Sequence, residues 1–337
     1  MTESRLLGTD VPLREAFDAA LVDLDGVAYK GRNAIPTAPP ALEAARAAGM
    51  HVVFVTNNAS REPETVADHL SELGIPCAPG EVMTAAQAGA ELLAEHVPAG
   101  EKVLVIGGAG LHTAVGAKGY AIVASAEDEP AAVIQGFAPD LGWSHFAEAT
   151  YAIAAGARYF ATNLDLTLPT ERGMAPGNGS LVGVVRTATG VDPLAAGKPE
   201  PAMLRLAARK AGAERPLMIG DRLDTDLKGA RAAGMPGLLV LTGVSGVRDT
   251  ILAAPGERPA FIGADLGTLA EVHPEPVVAD HWWHVGEARS RVTEGHLLVD
   301  GGSPMDRIRA ACAAAWDAAD AGARIDVETL PHLPVAS

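Results

Sequence analysis

The chain has 337 residues and is 48% hydrophobic, enough to bury a sizeable core and long enough for two or more domains. A net charge of −16 with no Lys/Arg run argues against nucleic acid as a partner, and it means that any anionic ligand must be held by local groups rather than by the overall field. No run of about 18 uncharged apolar residues predicts a membrane span, and the charged N-terminal stretch with two distant cysteines, Cys77 and Cys312, reads as a cytoplasmic protein with reduced thiols.

Short apolar runs that end in Gly/Asp/Asn turns alternate with Ala-rich helical stretches, the pattern of βα units and a parallel sheet. In chain order the pattern predicts strands at 19–22, 51–55, 103–106, 133–136, 159–162, 217–219 and 237–241, and helices over 40–48, 63–73, 85–96, 145–155, 200–211 and 227–233. The expected organisation is a core formed by 1–96 and 194–275, an inserted α/β domain at 97–193 and a small C-terminal extension at 276–337. In that extension 281–300 reads as two strands around Glu294-Gly295. A helix over 303–321 follows, with Ser303 as N-cap and Pro304 in its first turn.

Three polar clusters fall at predicted strand ends, where open α/β sheets bind ligands. The first is Asp23-Leu24-Asp25-Gly26, whose i, i+2 carboxylates project to one side. Asp23 is suited to attack phosphorus, being ionised at neutral pH. Asp25 is suited to protonate a leaving alkoxide and then to activate water. Thr56-Asn57-Asn58 follows the second strand with a hydroxyl, two carboxamides and main-chain N–H groups for phosphoryl oxygens; an Asx-turn leading into a helix is the ordinary alternative. The third, Gly220-Asp221-Arg222-Leu223-Asp224-Thr225-Asp226, is acidic, and Asp221 with Asp23 and the Asp25 carbonyl would suit magnesium. Asp224 and Asp226 read as neighbours of that shell or as helix N-terminal residues. Lys198, in Gly197-Lys198-Pro199, stands before a helix and could offset the repulsion between a nucleophile and a phosphate; a solvated surface lysine is the alternative.

Two further features carry less chemistry. Gly107-Gly108-Ala109-Gly110 lacks the third glycine of the dinucleotide fingerprint and reads as a tight strand-to-helix turn. His281-Trp282-Trp283-His284 reads as part of an amphipathic strand.

The four motifs Asp-x-Asp-Gly, Thr-Asn-Asn, Lys-Pro and Gly-Asp-x-x-x-x-Asp, in this order over about 15 to 275, resemble the haloacid-dehalogenase superfamily of aspartate-nucleophile phosphatases. The resemblance implies an α/β, Rossmann-like parallel-sheet core with an inserted α/β cap. Asp23 would be the nucleophile, Asp25 the acid/base, Thr56 and Lys198 the phosphate ligands, and Asp23, Asp25 and Asp221 the Mg²⁺ ligands. The long insertion, with Ala161-Thr162-Asn163-Leu164-Asp165 and Pro176-Gly177-Asn178-Gly179-Ser180-Leu181, looks like the large cap of the p-nitrophenylphosphatase, phosphoglycolate phosphatase and pyridoxal phosphatase branch. Its substrate-choosing loop would be 165–169, with Leu168 where pyridoxal phosphatases present histidine. That difference argues against pyridoxal phosphate and favours a small aliphatic phosphomonoester. With an extension beyond the usual family length, the resemblance implies glycerol 3-phosphate foremost, with phosphoglycolate or nucleoside monophosphates as alternatives. A sugar phosphomutase and a catalytically silent binding protein are the rival functions, and a homodimer is left open.

Overall fold

The computed structural model describes residues 5–170 and 172–335. Residues 1–4, 171, 336 and 337, which fall in the expected core, inserted domain and extension, lie outside the described residues. The chain divides into two compact units, Met1–Val53 with Ala208–Ser337, and Phe54–Ala207.

The first unit is organised on parallel strands in the order Phe261–Gly263, Gly237–Val240, Pro216–Gly220, Ala19–Val22, with the start of His51–Thr56 following. Register pairs Val22 with Ile219, Ile219 with Leu238 and Leu239 with Ile262. Ala19–Val22, Gly237–Val240 and Phe261–Gly263 are buried along their whole length, as expected of a parallel sheet covered on both faces. Continuous apolar runs locate the first two without any alternation to read, whereas the three-residue Phe261–Gly263 is not among the strands expected from the sequence.

The C-terminal segment of the same unit is a four-stranded antiparallel sheet, Val277–Ala279, Trp282–Val285, Ala288–Thr293 and His296–Gly301, followed by the helix Pro304–Asp320. The turn at Glu294-Gly295 is where the sequence places it, with both residues at positive φ. The range expected to hold two strands holds three, because a second turn at Gly286-Glu287 separates Val285 from its partner Ala288. Ser303 Oγ accepts from the Asp306 N–H, the expected cap.

That helix is not solvated on all sides. Ile308, Ala311, Cys312, Ala315 and Trp316 share one apolar cluster with Leu223, Leu227, Leu239, Ile251 and Ile262. Trp316 Nε1 donates to the Thr250 carbonyl, and Arg258, whose side chain is 1% exposed, forms a fork of 2.6 and 2.8 Å with Asp320. Residues 304–320 thus complete the hydrophobic core beneath the Asp226-bearing turn rather than adding a separate one.

The second unit carries a five-stranded parallel sheet in the order Leu194–Ala195, Arg158–Ala161, Ala132–Gln135, Lys102–Ile106, Ala121–Val123. Phe146, Ala149 and Ile153 of the helix Trp143–Ala154, and Val182 and Val185 of Asn178–Thr189, pack on it. A hairpin, Thr167–Thr170 with Gly173–Pro176, projects from the loop between Arg158–Ala161 and Asn178–Thr189. Gly107 to Gly110 form the expected turn into a helix, Ala109–Ala117. A Cβ on Gly110 would stand 2.4 Å from the Arg61 carbonyl oxygen, so the glycines serve close chain packing. Among the described residues no helix is long and apolar enough to cross a membrane.

Candidate active site

In the first unit the strand ends bring carboxylates together. One oxygen each of Asp23, Asp221 and Asp226 lies within 4.8 Å of the others. Asp23 leaves the strand Ala19–Val22 with its N–H donating to the Ile219 carbonyl at 2.9 Å, which keeps it in sheet register. Asp221 follows Pro216–Gly220 and is 1% exposed; its Oδ2 accepts from the Val244 N–H at 2.7 Å and its carbonyl from the Ser245 N–H at 3.0 Å. Asp226, in the helical turn Leu223–Leu227, is fully buried, and its Oδ2 accepts from the Arg222 N–H at 3.1 Å.

The space around Asp221 is defined by missing side chains. Gly26 has φ +80°, and a Cβ there would fall 2.4 Å from Asp221 Oδ2; one on Gly243 would fall 1.9 Å from the same atom. The Thr242 hydroxyl donates to the Gly26 carbonyl, joining the two glycine segments. The segment Thr242-Gly243-Val244-Ser245 is thus the back wall of the cluster. The sequence does not mark it, because only the fold brings it to Asp221.

Three carboxylates held this closely, two of them buried, repel one another unless a cation shares them. The donor set is all oxygen and hard, as magnesium prefers, and an octahedral shell with oxygens at about 2.1 Å spans about 4.2 Å, the scale of this cluster. The residues therefore fit a magnesium ion. Asp226 joins Asp23 and Asp221 in the cluster, whereas Asp224 is exposed and paired with Arg222 at 3.1 and 2.8 Å. That hydrogen bond holds the Asp224 carboxyl below its ordinary range. Asp25 is exposed, in the turn bridged to Tyr29.

In the second unit Thr56, Asn57, Asn58 and Lys198 are gathered. Thr56 is buried at the end of its strand, and its Oγ1 accepts from the Asn58 N–H at 3.1 Å. Asn58 Oδ1 accepts from the N–H groups of Ser60 and Arg61, an Asx-turn leading towards the helix Pro63–Glu72. Lys198 is 3% exposed, and its ammonium donates to the Val55 carbonyl at 3.5 Å, so it is not a solvated surface lysine. Asn57 binds its main chain on both sides, accepting from the Lys198 N–H and donating to the Lys198 carbonyl, each at 2.9 Å. Leu168 is half-buried in the hairpin opposite Ala175, while Leu166 and Met174 are the exposed apolar residues near it.

The chain is similar to known proteins over most of its length. A family profile described as haloacid dehalogenase-like hydrolase matches residues 20–121, and a second, HAD-hydrolase-like, matches 195–269. A D-glycerol 3-phosphate phosphatase of Mycobacterium tuberculosis is 42% identical over 319 residues, covering 91% of this chain and 88% of that protein. The crystal structure of a glycerol phosphate phosphatase from the same organism, in complex with magnesium, superposes with a TM-score of 0.84 at 41% identity over 91% of this chain and 92% of that one. A 4-nitrophenylphosphatase from Thermotoga maritima gives a TM-score of 0.71 at 30% identity, over 77% of this chain and 98% of that one. The chain belongs to the haloacid dehalogenase-like hydrolase family.

Proposed function

We propose that this chain is a magnesium-dependent phosphomonoester phosphatase that works through an aspartyl-phosphate on Asp23. The observation that carries the reading is the cluster of Asp23, Asp221 and Asp226 at adjoining strand ends, in a chain that aligns along 91% of its length with a glycerol 3-phosphate phosphatase.

In the first half-reaction the Asp23 carboxylate forms a bond to phosphorus as the bond to the substrate's alkoxide breaks, and Asp25 gives that alkoxide its proton. In the second, Asp25 takes a proton from water as the water's oxygen attacks phosphorus, releasing inorganic phosphate and regenerating Asp23. Lys198 and the Thr56 hydroxyl take the phosphoryl oxygens and offset their charge. Magnesium, held by Asp23, Asp221 and Asp226 with the Asp25 carbonyl, would supply Lewis-acid neutralisation of the phosphoryl group. Positioning and electrostatics then provide most of the rate, as in phosphoryl transfer generally.

The substrate we favour is glycerol 3-phosphate, on the strength of the Mycobacterium relative and of Leu168 in the hairpin, an apolar residue suited to a small aliphatic ester. Two free cysteines suit a reducing, cytoplasmic setting. The test is phosphate release from glycerol 3-phosphate, 2-phosphoglycolate and nucleoside monophosphates, with magnesium and with chelator. Magnesium-dependent release, highest from glycerol 3-phosphate, is expected. Isomerised product without free phosphate would instead indicate a mutase, and inactivity across the panel would point to a binding protein.

A further inference from the structure

Asn57 has one donor group and one acceptor to share, and the structure accounts for all of its carboxamide. Its Oδ1 takes the Lys198 N–H, and its Nδ2 serves two acceptors, the Lys198 carbonyl at 2.9 Å and Asp165 Oδ2 at 3.0 Å. A carboxamide bonded to the N–H and C=O of one residue fixes the φ and ψ of that residue, and so the direction from which its side chain starts. The bond to Asp165 is charge-assisted and correspondingly stronger than a neutral one.

Asp165 is itself immobilised by its own main chain. Its N–H donates to Asn163 Oδ1 at 3.2 Å, its carbonyl accepts from the Gly179 N–H at 2.9 Å, and a Cβ on Gly177 would lie 2.3 Å from that carbonyl oxygen. Asn163 reaches back through Nδ2 to the Asn57 carbonyl at 2.7 Å, and Asn178 Nδ2 holds the Asn163 carbonyl at 2.8 Å. Asn57 is therefore gripped at both its side chain and its backbone by one loop of the Phe54–Ala207 unit, 106 to 108 residues away in sequence.

We infer that Asp165 is a positioning residue: its carboxylate locks the Asn57 carboxamide, and Asn57 in turn sets the backbone from which the Lys198 ammonium is presented. The inference rests on the phosphate-binding reading of Lys198. It also assigns the Asn57 side chain to Lys198 rather than to the substrate.

The test is a double-mutant cycle on kcat for p-nitrophenyl phosphate and for glycerol 3-phosphate, with thermal unfolding of each variant. Asp165→Ala should lower kcat about 10-fold on both substrates, while Asp165→Asn, which keeps an acceptor oxygen, should stay within about 3-fold of the parent. Asn57→Ala should lose at least as much as Asp165→Ala, and the pair together should lose no more than Asn57→Ala alone. Should Asn57→Ala fail to fold, Asn57→Ser with Asp165→Ala closes the same cycle. Losses that multiply in the double variant would overturn the inference, as would a change confined to KM for one substrate, which marks direct substrate contact. So would losses that merely follow the fall in melting temperature. Lys198→Ala separates the two levels: a parental rate there sinks the reading of Lys198 itself, whereas a dead Lys198→Ala beside a multiplicative cycle sinks only the role of Asp165.

Discussion

The carboxylate cluster around Asp221 and the polar network around Lys198 are built in different ways. Asp221 is held by main-chain N–H groups and by glycines too close to accept a Cβ, so its geometry is imposed by backbone. Lys198 is held by a chain of side chains, Asn57, Asp165, Asn163 and Asn178, each replaceable one at a time. The first arrangement tolerates almost no addition. The second fails by subtraction.

Several substitutions sharpen that contrast. The largest effect is expected from Lys198→Ala, which removes a buried cation: phosphate release should fall about 10³-fold with little change in unfolding midpoint. Gly243→Ala tests the opposite mode. Its new Cβ would fall 1.9 Å from Asp221 Oδ2, so Asp221 must shift; magnesium-supported release should drop about 10²-fold and stability by about 2 kcal/mol, read from magnesium titration and urea unfolding. Gly49, where a Cβ meets nothing within 4 Å but φ is +92°, serves as control: Gly49→Ala should cost stability without altering the magnesium response.

Away from both regions, His273 is 2% exposed, its ring against Phe261 and its main-chain N–H donating to the Thr9 hydroxyl at 3.0 Å. Burial first, and the Arg309 charge second, push its pKa down to about 3. A histidine depressed on folding binds fewer protons than in the unfolded chain, so its contribution is complete above about pH 6.5 and is lost as pH falls towards 3. Between pH 7 and pH 4 the parent should lose about 3 kcal/mol more stability than His273→Gln, measured by urea unfolding at each pH. The smallest effect is expected at Asp320. Removing it as Asp320→Ala strands the buried Arg258 guanidinium, but the half-exposed carboxylate is screened by water, so about 1 kcal/mol is expected with kcat unchanged.

These contrasts also explain what could be read from the chain. The longer parallel strands were legible because they are contiguous apolar runs, and Asp23, Thr56 and Asp221 because each ends one. The two- and three-residue parallel strands Val82–Thr84, Ala121–Val123, Leu194–Ala195 and Phe261–Gly263 are too short to show such a run. The helix Asn178–Thr189 was not legible: it opens on glycines that propensity counts against a helix, yet Gly179 abuts the Leu164 carbonyl, where a side chain would not fit. Asp226 was marked by its place at the end of Gly-Asp-x-x-x-x-Asp, though as a neighbour of the metal shell rather than a member of the cluster. The wall at Thr242–Ser245 and the clamp of Asp165 on Asn57 are tertiary. Their partners lie too far away in sequence for spacing to reveal, and Asn57 and Asn58 look alike in sequence although one ties down Lys198 and the other only closes a turn.

The most direct test of the account is the rate of phosphate release from glycerol 3-phosphate by Asp23→Asn beside the parent protein, both with magnesium. Magnesium-dependent release by the parent and none above background from a folded Asp23→Asn are expected; release by that variant at the parental rate would contradict the assignment of Asp23 as nucleophile.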